Sequence, residues 1–264
     1  MKEEAYRLQE SLDDSYWWFQ ARREIVCDVV SRFVTPGSGL VDYGCGTGAI
    51  AARLRELGYR AIGAEVSAEM LEACRKRGVP TIDLSKEWIP PASADCVLAC
   101  DMLEHAEDDL GLLKRLREAI RAGGLLIGTV PAYEFLWSGE DYVSSHFRRY
   151  TRARLGRSLR SADYEVLWSS YFNTLLFPLA VSVILAKRLF RPRDMYHSNV
   201  EPLPKWQNDF FRSVFSKERG LLRWVRLPFG LSVTFVARPR EVSPAKDPLL
   251  GGADVATARP DDRT

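Results

Sequence analysis

Short apolar runs alternate with longer amphipathic segments through the first half of the chain. The apolar runs predict strands at Leu40–Asp42, Arg60–Glu65, Val79–Asp83, Ala94–Asp101 and Leu125–Val130. The segments between them carry apolar residues at helical spacing and predict helices at Ala49–Leu57, Ala68–Arg77 and Leu110–Arg121. Strands that alternate with helices are typical of a mostly parallel sheet with helices on both faces. The pattern therefore predicts an α/β fold.

The regular alternation weakens in the second half of the chain. The segment Tyr133–Tyr150 is rich in aromatic and charged residues and is expected to be a loop. A helix capped by Thr151 is expected to end at Ser161, and a strand is expected at Tyr164–Trp168. The next strand signal, Leu231–Ala237, comes only after about 60 residues of apolar, aromatic and basic character. This spacing predicts an insert before the last strand.

A run of 21 consecutive residues without a charge, Val166–Ala186, lies at the start of that insert. The run begins inside the predicted strand, and its strongly apolar part is Leu175–Ala186, 12 residues that include Pro178. A helix of this length covers roughly 18 Å, which is short of the ~30 Å hydrocarbon core of a bilayer. A single crossing here would also separate the last strand from its sheet. We therefore expect an inserted helix and not a membrane span.

The residues that follow the apolar run are basic. From Lys187 to Arg226 there are 10 basic and 4 acidic residues, and large apolar side chains between Trp206 and Phe215 recur on one helical face. Apolar and basic segments of this kind suit an anionic membrane interface or a long apolar acceptor. They equally suit a helical cap over a pocket or a homodimer contact. The sequence leaves these alternatives open.

Composition bears mainly on the kind of partner and on the compartment. The chain of 264 residues has 37 Lys and Arg against 35 Asp and Glu, and this net charge of +2 argues against a nucleic-acid partner. The five cysteines form no CxxC pair and are expected to be buried thiols in a reducing compartment. The start, Met1–Glu4, lacks the apolar core of a signal peptide. We expect a cytoplasmic protein that the basic insert could bring to the inner face of the membrane.

A glycine-rich loop follows the first predicted strand. Its residues are Asp42-Tyr43-Gly44-Cys45-Gly46-Thr47-Gly48. Glycine permits positive φ angles and lets the backbone approach a ligand closely. The glycines also satisfy the dinucleotide-binding pattern, so by themselves they leave an NAD(P)-dependent oxidoreductase open. Asp42 favours another ligand, because its carboxylate would repel a pyrophosphate but suits an ammonium or sulfonium group.

Three further acidic residues end predicted strands, namely Glu65, Asp83 and Asp101. Glu65 lies 21 positions after Gly44, where the acidic residue of nucleotide-binding sheets accepts the ribose hydroxyls. Asp83, with the backbone N–H of Leu84, is placed to meet the exocyclic amine of an adenine. As alternatives, Glu65 could stabilise a helix N-terminus and Asp83 could be a turn residue. Four acids at four successive strand ends predict one crevice at the carboxyl edge of the sheet.

Three motifs in this region occur together and in order. They are Asp42-x-Gly44-x-Gly46-x-Gly48, Glu65-Val66-Ser67-x-x-Met70-Leu71 and Asp95-Cys96-Val97-Leu98-Ala99-Cys100-Asp101-Met102-Leu103-Glu104-His105. With them, the chain resembles the class I S-adenosylmethionine-dependent methyltransferases, and among these the type 11 group of small-molecule enzymes. The match runs from about Leu40 to Val130. The family usually has Asp where this chain has Glu65.

The resemblance implies a fold, a donor and a reaction. The fold is a Rossmann-like seven-stranded, mostly parallel sheet with an antiparallel last strand, so Leu231–Ala237 would be the seventh strand. S-adenosylmethionine would be the cofactor, and the methyl group would go to oxygen or nitrogen of a small or lipid-linked acceptor. A non-catalytic or cyclising protein on the same fold is the alternative. The residues implied in donor binding are Asp42, Gly44, Cys45, Gly46, Gly48, Glu65, Val66, Asp83, Leu84, Asp101 and Met102.

The candidate catalytic residues are histidines. His146 lies in the loop after the fifth strand and is expected to act as a general base or to anchor the acceptor, unless it caps the following helix. His105 follows the fourth strand, beside the donor, as a second catalytic candidate or a packing residue. His197 lies in the insert and is expected at the surface.

The remaining acceptor-pocket candidates are arginines and aromatic residues. Arg148 and Arg149 could bind an acidic group of the acceptor, or they could pair with Glu140 and Asp141 and fix the loop. The aromatic candidates, for which core packing is the alternative, are Trp17, Phe19, Tyr133 and Tyr150. The sequence has no metal-ligand spacing motif, so no metal is expected.

These observations divide the chain as follows. Residues 1–35 are expected to form an N-terminal helical cap, and residues 36–170 and 227–238 the methyltransferase core. Residues 171–226 would be the apolar and basic insert, and residues 239–264 a disordered tail.

Overall fold

The computed structural model describes residues 11–190, 196, 200 and 202–240. Its strands are β1 (Gly39–Tyr43), β2 (Arg60–Glu65), β3 (Thr81–Asp83), β4 (Ala94–Cys100), β5 (Ile120–Pro131), β6 (Tyr164–Phe172) and β7 (Ser232–Pro239). Its α-helices are α1 (Trp17–Phe33), α2 (Ala49–Glu56), α3 (Ala68–Lys76), α4 (Asp109–Ala119), α5 (Gly139–Val143), α6 (Arg152–Ser161), α7 (Phe177–Phe190) and α8 (Lys205–Leu221). Short 3₁₀ turns cover Leu103–His105 and Glu134–Leu136.

The strands form one seven-stranded sheet in the order β3-β2-β1-β4-β5-β7-β6. Strands β1 to β5 are parallel to one another, whereas β7 runs antiparallel to both β5 and β6. The strand order reverses between β1 and β4, which is where open α/β sheets bind ligands. The Rossmann-like sheet with an antiparallel last strand is thus confirmed.

Polar side chains cap the helices that the sequence predicts. Ser67 Oγ accepts the Met70 N–H at 3.4 Å at the start of α3, and Thr151 Oγ1 accepts the Arg154 N–H at 3.1 Å at the start of α6. Each cap pairs one of the N–H groups that a helix leaves without an internal partner. The helix cap that the sequence predicts at Thr151 is therefore present.

Two element boundaries differ from the sequence-based expectation. Strand β5 begins at Ile120 and not Leu125, because Ile120 pairs with Ala94 ahead of an irregularity in the β4–β5 register. The expected loop Tyr133–Tyr150 contains the short helix α5, which Ser138 and Asp141 cap reciprocally. The cap lies in a segment without apolar periodicity, so the pattern of hydrophobic residues gave no sign of it.

Apolar side chains are buried on both faces of the sheet. Helices α1, α2 and α8 cover one face, where Val26, Leu54 and Phe215 belong to one cluster. Helices α4 and α6 cover the other face, where Leu113 and Leu159 belong to a second cluster. Full burial of a side chain of this size contributes ~1.5–3 kcal/mol. The two clusters fix the sheet and leave its carboxyl edge free for the site.

Helices α7 and α8 lie between β6 and β7 and are packed very differently. The Trp17 ring on α1 lies 5.6 Å from that of Phe211 on α8, and Phe215 stacks on Phe172 with ring centroids 6.0 Å apart. Helix α7 buries no residue, and its last two side chains, Leu189 and Phe190, are 74% and 76% exposed. The uncharged run of the sequence is thus divided between β6 and the exposed helix α7.

Within the described ranges, no helix is both long and apolar enough to cross a bilayer. His197, and all of the expected tail except Pro239 and Arg240, lie outside the described residues.

Candidate active site

The acidic residues at the ends of four parallel strands meet at the carboxyl edge of the sheet. Asp42 on β1 lies beside Gly63 on β2 and Leu98 on β4, and Glu65 pairs with Asp83 across β2 and β3. Asp101 follows directly after β4. Parallel strands end on the same side of a sheet, so the crevice expected from the sequence is formed by their loops.

The glycine loop adopts a backbone that requires glycine at its first and last positions. Gly44 has φ +68° and Gly48 has φ +77°. A Cβ atom on Gly44 would overlap the thioether of Met102, and one on Gly48 would overlap the thiol of Cys74. Glycine at these two positions therefore lets the loop pack closely against Met102 and Cys74.

Asp42 is the most unusual acid of the crevice. Its carboxyl is 2% exposed, and Oδ2 has no hydrogen-bond partner. Burial raises its pKa to about 7, although the nearby Arg22 acts in the opposite direction and the carboxylates of Glu65 and Asp13 raise the pKa further. An orphaned buried oxygen of this kind fits a ligand with a cationic group.

Glu65 ties the end of β2 to the glycine loop. Its Oε1 accepts the N–H groups of Val66 at 2.7 Å and Ser67 at 3.1 Å, and its Oε2 accepts the Gly46 N–H at 3.2 Å. A carboxylate offers about four acceptor positions, so lone pairs remain for hydroxyl donors. The expected helix N-terminal role and the ribose role are therefore compatible. The side chain of Val66 is 57% exposed beside this carboxylate.

The expectation for the β3 end is corrected in one respect. The Leu84 N–H donates to the Glu65 carbonyl at 2.9 Å as part of the strand ladder, so it is not free for an adenine. Asp83 accepts the Ser85 N–H at 3.1 Å and pairs with Lys86 at 2.7 Å. The bond from Lys86, followed by that from Ser85, lowers the Asp83 pKa to about 2. The turn role of Asp83 is thus observed, and an adenine contact stays a prediction.

Asp101 is held by a residue that the sequence analysis did not assign. Arg22 on α1 pairs with Asp101 Oδ2 at 2.5 Å, and Thr129 donates to Oδ1 at 3.0 Å. The Arg22 guanidinium also lies 5.0 Å from the centre of the Trp18 ring. Asp101 has φ +55°, a conformation that non-glycine residues rarely adopt. In the sequence, Arg22 follows the aromatic residues Trp17, Trp18 and Phe19, but nothing there indicates that it pairs with Asp101.

The segment before α1 crosses the glycine loop. Thr47 donates a hydrogen bond from its hydroxyl to the Asp13 carboxylate, which is 7% exposed. Asp14 pairs with Arg77 at 2.7 Å and with Arg23 at 3.2 Å. The segment before α1 therefore contacts the glycine loop and the end of α3. That residues 1–35 form a helical cap stays a prediction, and residues 1–10 lie outside the described residues.

Three of the expected pocket aromatics have identifiable packing roles. Trp17 packs against α8, with its ring 5.8 Å from that of Phe215, and therefore does not face the acceptor side. Phe19 contacts the ring of Trp18 at 5.2 Å. Tyr150 is 0% exposed and donates to Asp109 at 2.7 Å, so it is a core residue. The core-packing alternative therefore holds for Trp17, which packs on α8, and for Tyr150, which is buried.

Tyr133 is the aromatic candidate that lies beside helix α7 of the insert. Its ring stacks on Tyr171 at 5.2 Å and lies 6.0 Å from Phe177 at the start of α7. Its φ of +57° directs the chain sharply after β5. Burial and a hydrogen bond with Tyr171 raise the pKa of the Tyr133 hydroxyl.

The two arginines pair with acidic residues of the protein. Arg149 binds Asp141 through two hydrogen bonds of 2.8 and 2.7 Å, which is the loop-fixing alternative. Arg148 pairs with Asp109 at 3.0 Å and not with Glu140. Both guanidinium groups are thereby occupied, so the structure does not support their binding an acidic acceptor.

His146 and His105 lie together beside the end of β4. Their ring centroids are 4.5 Å apart, and His146 Nδ1 lies 2.8 Å from Asp141 Oδ1. Burial, and then the neighbouring His146, lowers the pKa of His105 to about 4. Glu104, which precedes His105, is 0% exposed, and neither of its carboxyl oxygens has a hydrogen-bond partner. Both histidines are candidate catalytic residues in the sequence, whereas only the structure brings Glu104 and Asp141 into this cluster.

A thiol pair lies beneath the glycine loop. The sulfur atoms of Cys45 and Cys74 are 3.9 Å apart. Position 63 on β2 has room only for glycine, because a Cβ atom there would overlap both sulfur atoms. The Cys45 thiol therefore packs beneath the loop against Cys74 and Gly63. A direct contact between this side chain and S-adenosylmethionine stays a prediction.

Comparison with known proteins identifies the family. The profile described as "Methyltransferase domain" matches residues 18–169. The ubiquinone biosynthesis O-methyltransferase of Xanthomonas campestris pv. campestris is 24% identical over 162 residues, covering 52% of this chain and 67% of that protein. A probable S-adenosylmethionine-dependent methyltransferase of Mycolicibacterium smegmatis is 26% identical over 162 residues, covering 59% and 62%.

Solved structures agree in fold. The cyclase SpnF superposes with a TM-score of 0.57 at 21% identity, covering 89% of this chain and 94% of that one. An S-adenosylmethionine-dependent methyltransferase of Mesorhizobium loti superposes with a TM-score of 0.52 at 17% identity, covering 85% and 99%. The buried Asp42 oxygen without a hydrogen-bond partner fits the cationic donor of such enzymes, whereas its carboxylate would repel the pyrophosphate of a dinucleotide. The chain belongs to the methyltransferase-domain family and is an S-adenosylmethionine-dependent methyltransferase.

Proposed function

We propose that this enzyme transfers the methyl group to an oxygen or nitrogen atom of a small or lipid-linked acceptor. The observation that carries the proposal is that hydrogen bonds link the end of β4, the loop that holds His146 and the exposed apolar helix α7. Phe147 donates its N–H to the Glu104 carbonyl at 2.8 Å, which joins the His146 loop to the end of β4. Arg188 on α7 donates to the Trp137 carbonyl at 2.8 Å, which joins the same region to α7.

The donor side of the proposal rests on the acids and glycines of the crevice. Asp42 and Asp101 would face the cationic groups, Glu65 the ribose hydroxyls, and the Gly44–Gly48 backbone the methionine end. When bound, S-adenosylmethionine supplies a methyl group activated by a sulfonium. The residues of the crevice contribute by positioning, because holding the reacting atoms in line can supply much of the rate acceleration.

His146 is proposed to act on the acceptor. The short contact with Asp141 fixes the orientation of the His146 ring, and Asp141 is fixed in turn by Arg149. A ring held in this way can bind the acceptor atom that receives the methyl group. The names of the Xanthomonas relatives, which refer to O-methylation in ubiquinone biosynthesis, support an oxygen acceptor.

The exposed helix α7 supports an acceptor with an apolar tail, or a membrane that presents one. Leu179 and Val183 lie one turn apart and are 51% and 46% exposed, and Lys187 follows a further turn along. A basic group at the end of an apolar face is typical of helices that rest on anionic lipid. A homodimer contact through the same face is the alternative.

The test compares acceptors that share one phenolic head and differ only in the length of an alkyl tail. We expect kcat/KM to rise with tail length for the wild-type enzyme, and the double variant Leu179→Gln/Val183→Gln to lose this rise while it keeps its activity on the short acceptor. Leu57→Gln, which changes an exposed leucine directly after α2, is the matched control. A donor that binds but transfers no methyl group to any phenol or amine tested would overturn the proposal and favour a non-methylating activity.

A further inference from the structure

The side chains of Glu104, His105 and His146 form a compact cluster of possible metal ligands. One ligand atom from each residue lies within 4.8 Å of the others. Glu104 and His105 belong to the 3₁₀ turn after β4, whereas His146 comes from the loop after α5. Glu104 and His105 are adjacent in the sequence, but His146 lies 41 positions after His105. The three residues therefore match no spacing motif, and the sequence predicts no metal.

Glu104 is the strongest indication that this cluster binds a cation. Its side chain is 0% exposed, and neither oxygen accepts a hydrogen bond from the protein. A buried carboxylate without partners is costly, and proteins normally pair it or let it bind a metal ion. Arg149 and Arg22 are close enough to influence Glu104, but they are bonded to Asp141 and Asp101. The residues described by the structure therefore leave this carboxylate unpaired.

The histidines are oriented as metal ligands are. His146 Nδ1 is engaged by Asp141, which leaves Nε2 for another partner. Asp141 is itself held by Arg149 and by the Ser138 N–H at 2.7 Å. His105 makes a backbone hydrogen bond with Ser144 through its ring. In metal sites the second nitrogen of a ligating histidine usually bonds a carboxylate or a backbone carbonyl, which fixes the tautomer and the ring.

We propose that Glu104, His105 and His146 bind one divalent transition-metal ion of the zinc type. Two imidazoles and one carboxylate are the ligand set of open zinc sites, in which a fourth position is left for water or substrate, whereas Mg²⁺ prefers oxygen ligands alone. Ligand atoms around tetrahedral zinc are ~3.4 Å apart, so the three side chains must close by about 1 Å on binding.

The position of the cluster suggests what the ion would do. It lies three residues beyond Asp101, on the side from which the His146 loop approaches. With Nε2 on the ion, His146 would act on the acceptor through the metal and not by direct contact. An oxygen acceptor bound at the open position would be oriented beside the donor and more easily deprotonated. This role rests on the proposed function, whereas metal binding by the three residues does not.

The experiment measures binding of Zn²⁺ and Co²⁺ to the full chain, freed of metal by a chelator and carrying no histidine tag. Calorimetry with Zn²⁺ should give one equivalent, and Co²⁺ should give the visible absorption of a four- or five-coordinate site. Glu104→Gln and His146→Ala should each weaken Zn²⁺ binding by about a hundredfold or more, and Asp141→Asn by roughly 10–100-fold. Glu107→Gln, an exposed neighbour, should bind as the wild type does.

Binding of S-adenosylhomocysteine to the same samples separates this proposal from the donor site. Retained nucleoside binding with no Zn²⁺ or Co²⁺ binding by the wild type would overturn the metal site and leave Glu104 as a buried, protonated acid. Equal Zn²⁺ affinity of Glu104→Gln and the wild type would also overturn it. Should Glu104→Gln fail to fold, His146→Ala and the wild-type Co²⁺ spectrum still decide.

Discussion

Asp42 shows how one residue can combine a structural cost with a binding function. Its carboxyl is buried next to Glu65 and Asp13, so its charged form is disfavoured until a cation arrives. Arg22 offsets part of this cost but is itself engaged by Asp101. In the free enzyme, Asp42 Oδ2 is thus a buried acceptor without a hydrogen-bond partner, and a cationic ligand can supply one.

The pKa of Asp42 predicts a pH dependence of donor-site binding. With a pKa of about 7, the carboxyl is mostly neutral at pH 6 and mostly charged at pH 7.5. S-adenosylhomocysteine, whose ammonium would face this charge, should therefore bind about eightfold more tightly at pH 7.5 than at pH 6. Calorimetry across this range measures the effect. Asp42→Asn should bind weakly with a flat profile, and an unchanged slope in that variant would assign the proton to another group.

A second prediction at this scale concerns Gly44. Gly44→Ala places a methyl group at φ +68° against the Met102 side chain, and we expect at least about a tenfold loss of S-adenosylhomocysteine affinity because the loop and Met102 must shift. Gly123→Ala is the matched control, since Gly123 has φ +76° and open space around a Cβ atom. Both variants should lose ~1 kcal/mol of stability through the positive φ, and Gly44→Ala should lose more because of the overlap with Met102, but only Gly44→Ala should lose affinity. Similar affinity in both variants would argue against contact between this loop and the donor.

Elements were predicted where a local pattern sufficed, and missed where contacts come from distant segments. The caps at Ser67 and Thr151 and the alternation of strands are written within a few residues of sequence. The Arg22–Asp101 and His146–Asp141 pairs depend on how α1 and the α5 loop fold over the strand ends. Periodicity carries no information on such pairs, and it also left open whether Trp17 and Tyr150 line the pocket or pack in the core.

The packing of α8 on α1 predicts a large difference between two phenylalanines of the same helix. Phe215 is 0% exposed and contacts Trp17 and Phe172, so Phe215→Ala should lower the free energy of unfolding by about 3–5 kcal/mol. Phe210 is 57% exposed, and Phe210→Ala should stay within about 0.5 kcal/mol of the wild type. Urea unfolding measures both. Equal losses would mean that α8 does not pack on the core as described.

For the whole molecule, the sequence predicted the sheet and the donor crevice but not the acceptor side. The crevice lies at strand ends whose order follows from the βα alternation, so residues near Asp42 and Glu65 were placed by topology alone. The proposed acceptor side comprises the α5 loop and the insert, which have no repeating pattern. Its cluster at Glu104 becomes visible only when the loop returns to β4.

The position of β7 has a consequence for the order in which the chain can complete its sheet. β7 is the last strand in sequence, yet it lies between β5 and β6 and is the strand through which β6 joins the sheet. During synthesis β6, α7 and α8 must therefore wait for Ser232–Pro239 before β6 gains a strand partner. Until then β5 and β6 both present open edges, which favour aggregation. Completion of the sheet is thus a late, long-range event, and β7 acts as its closing element.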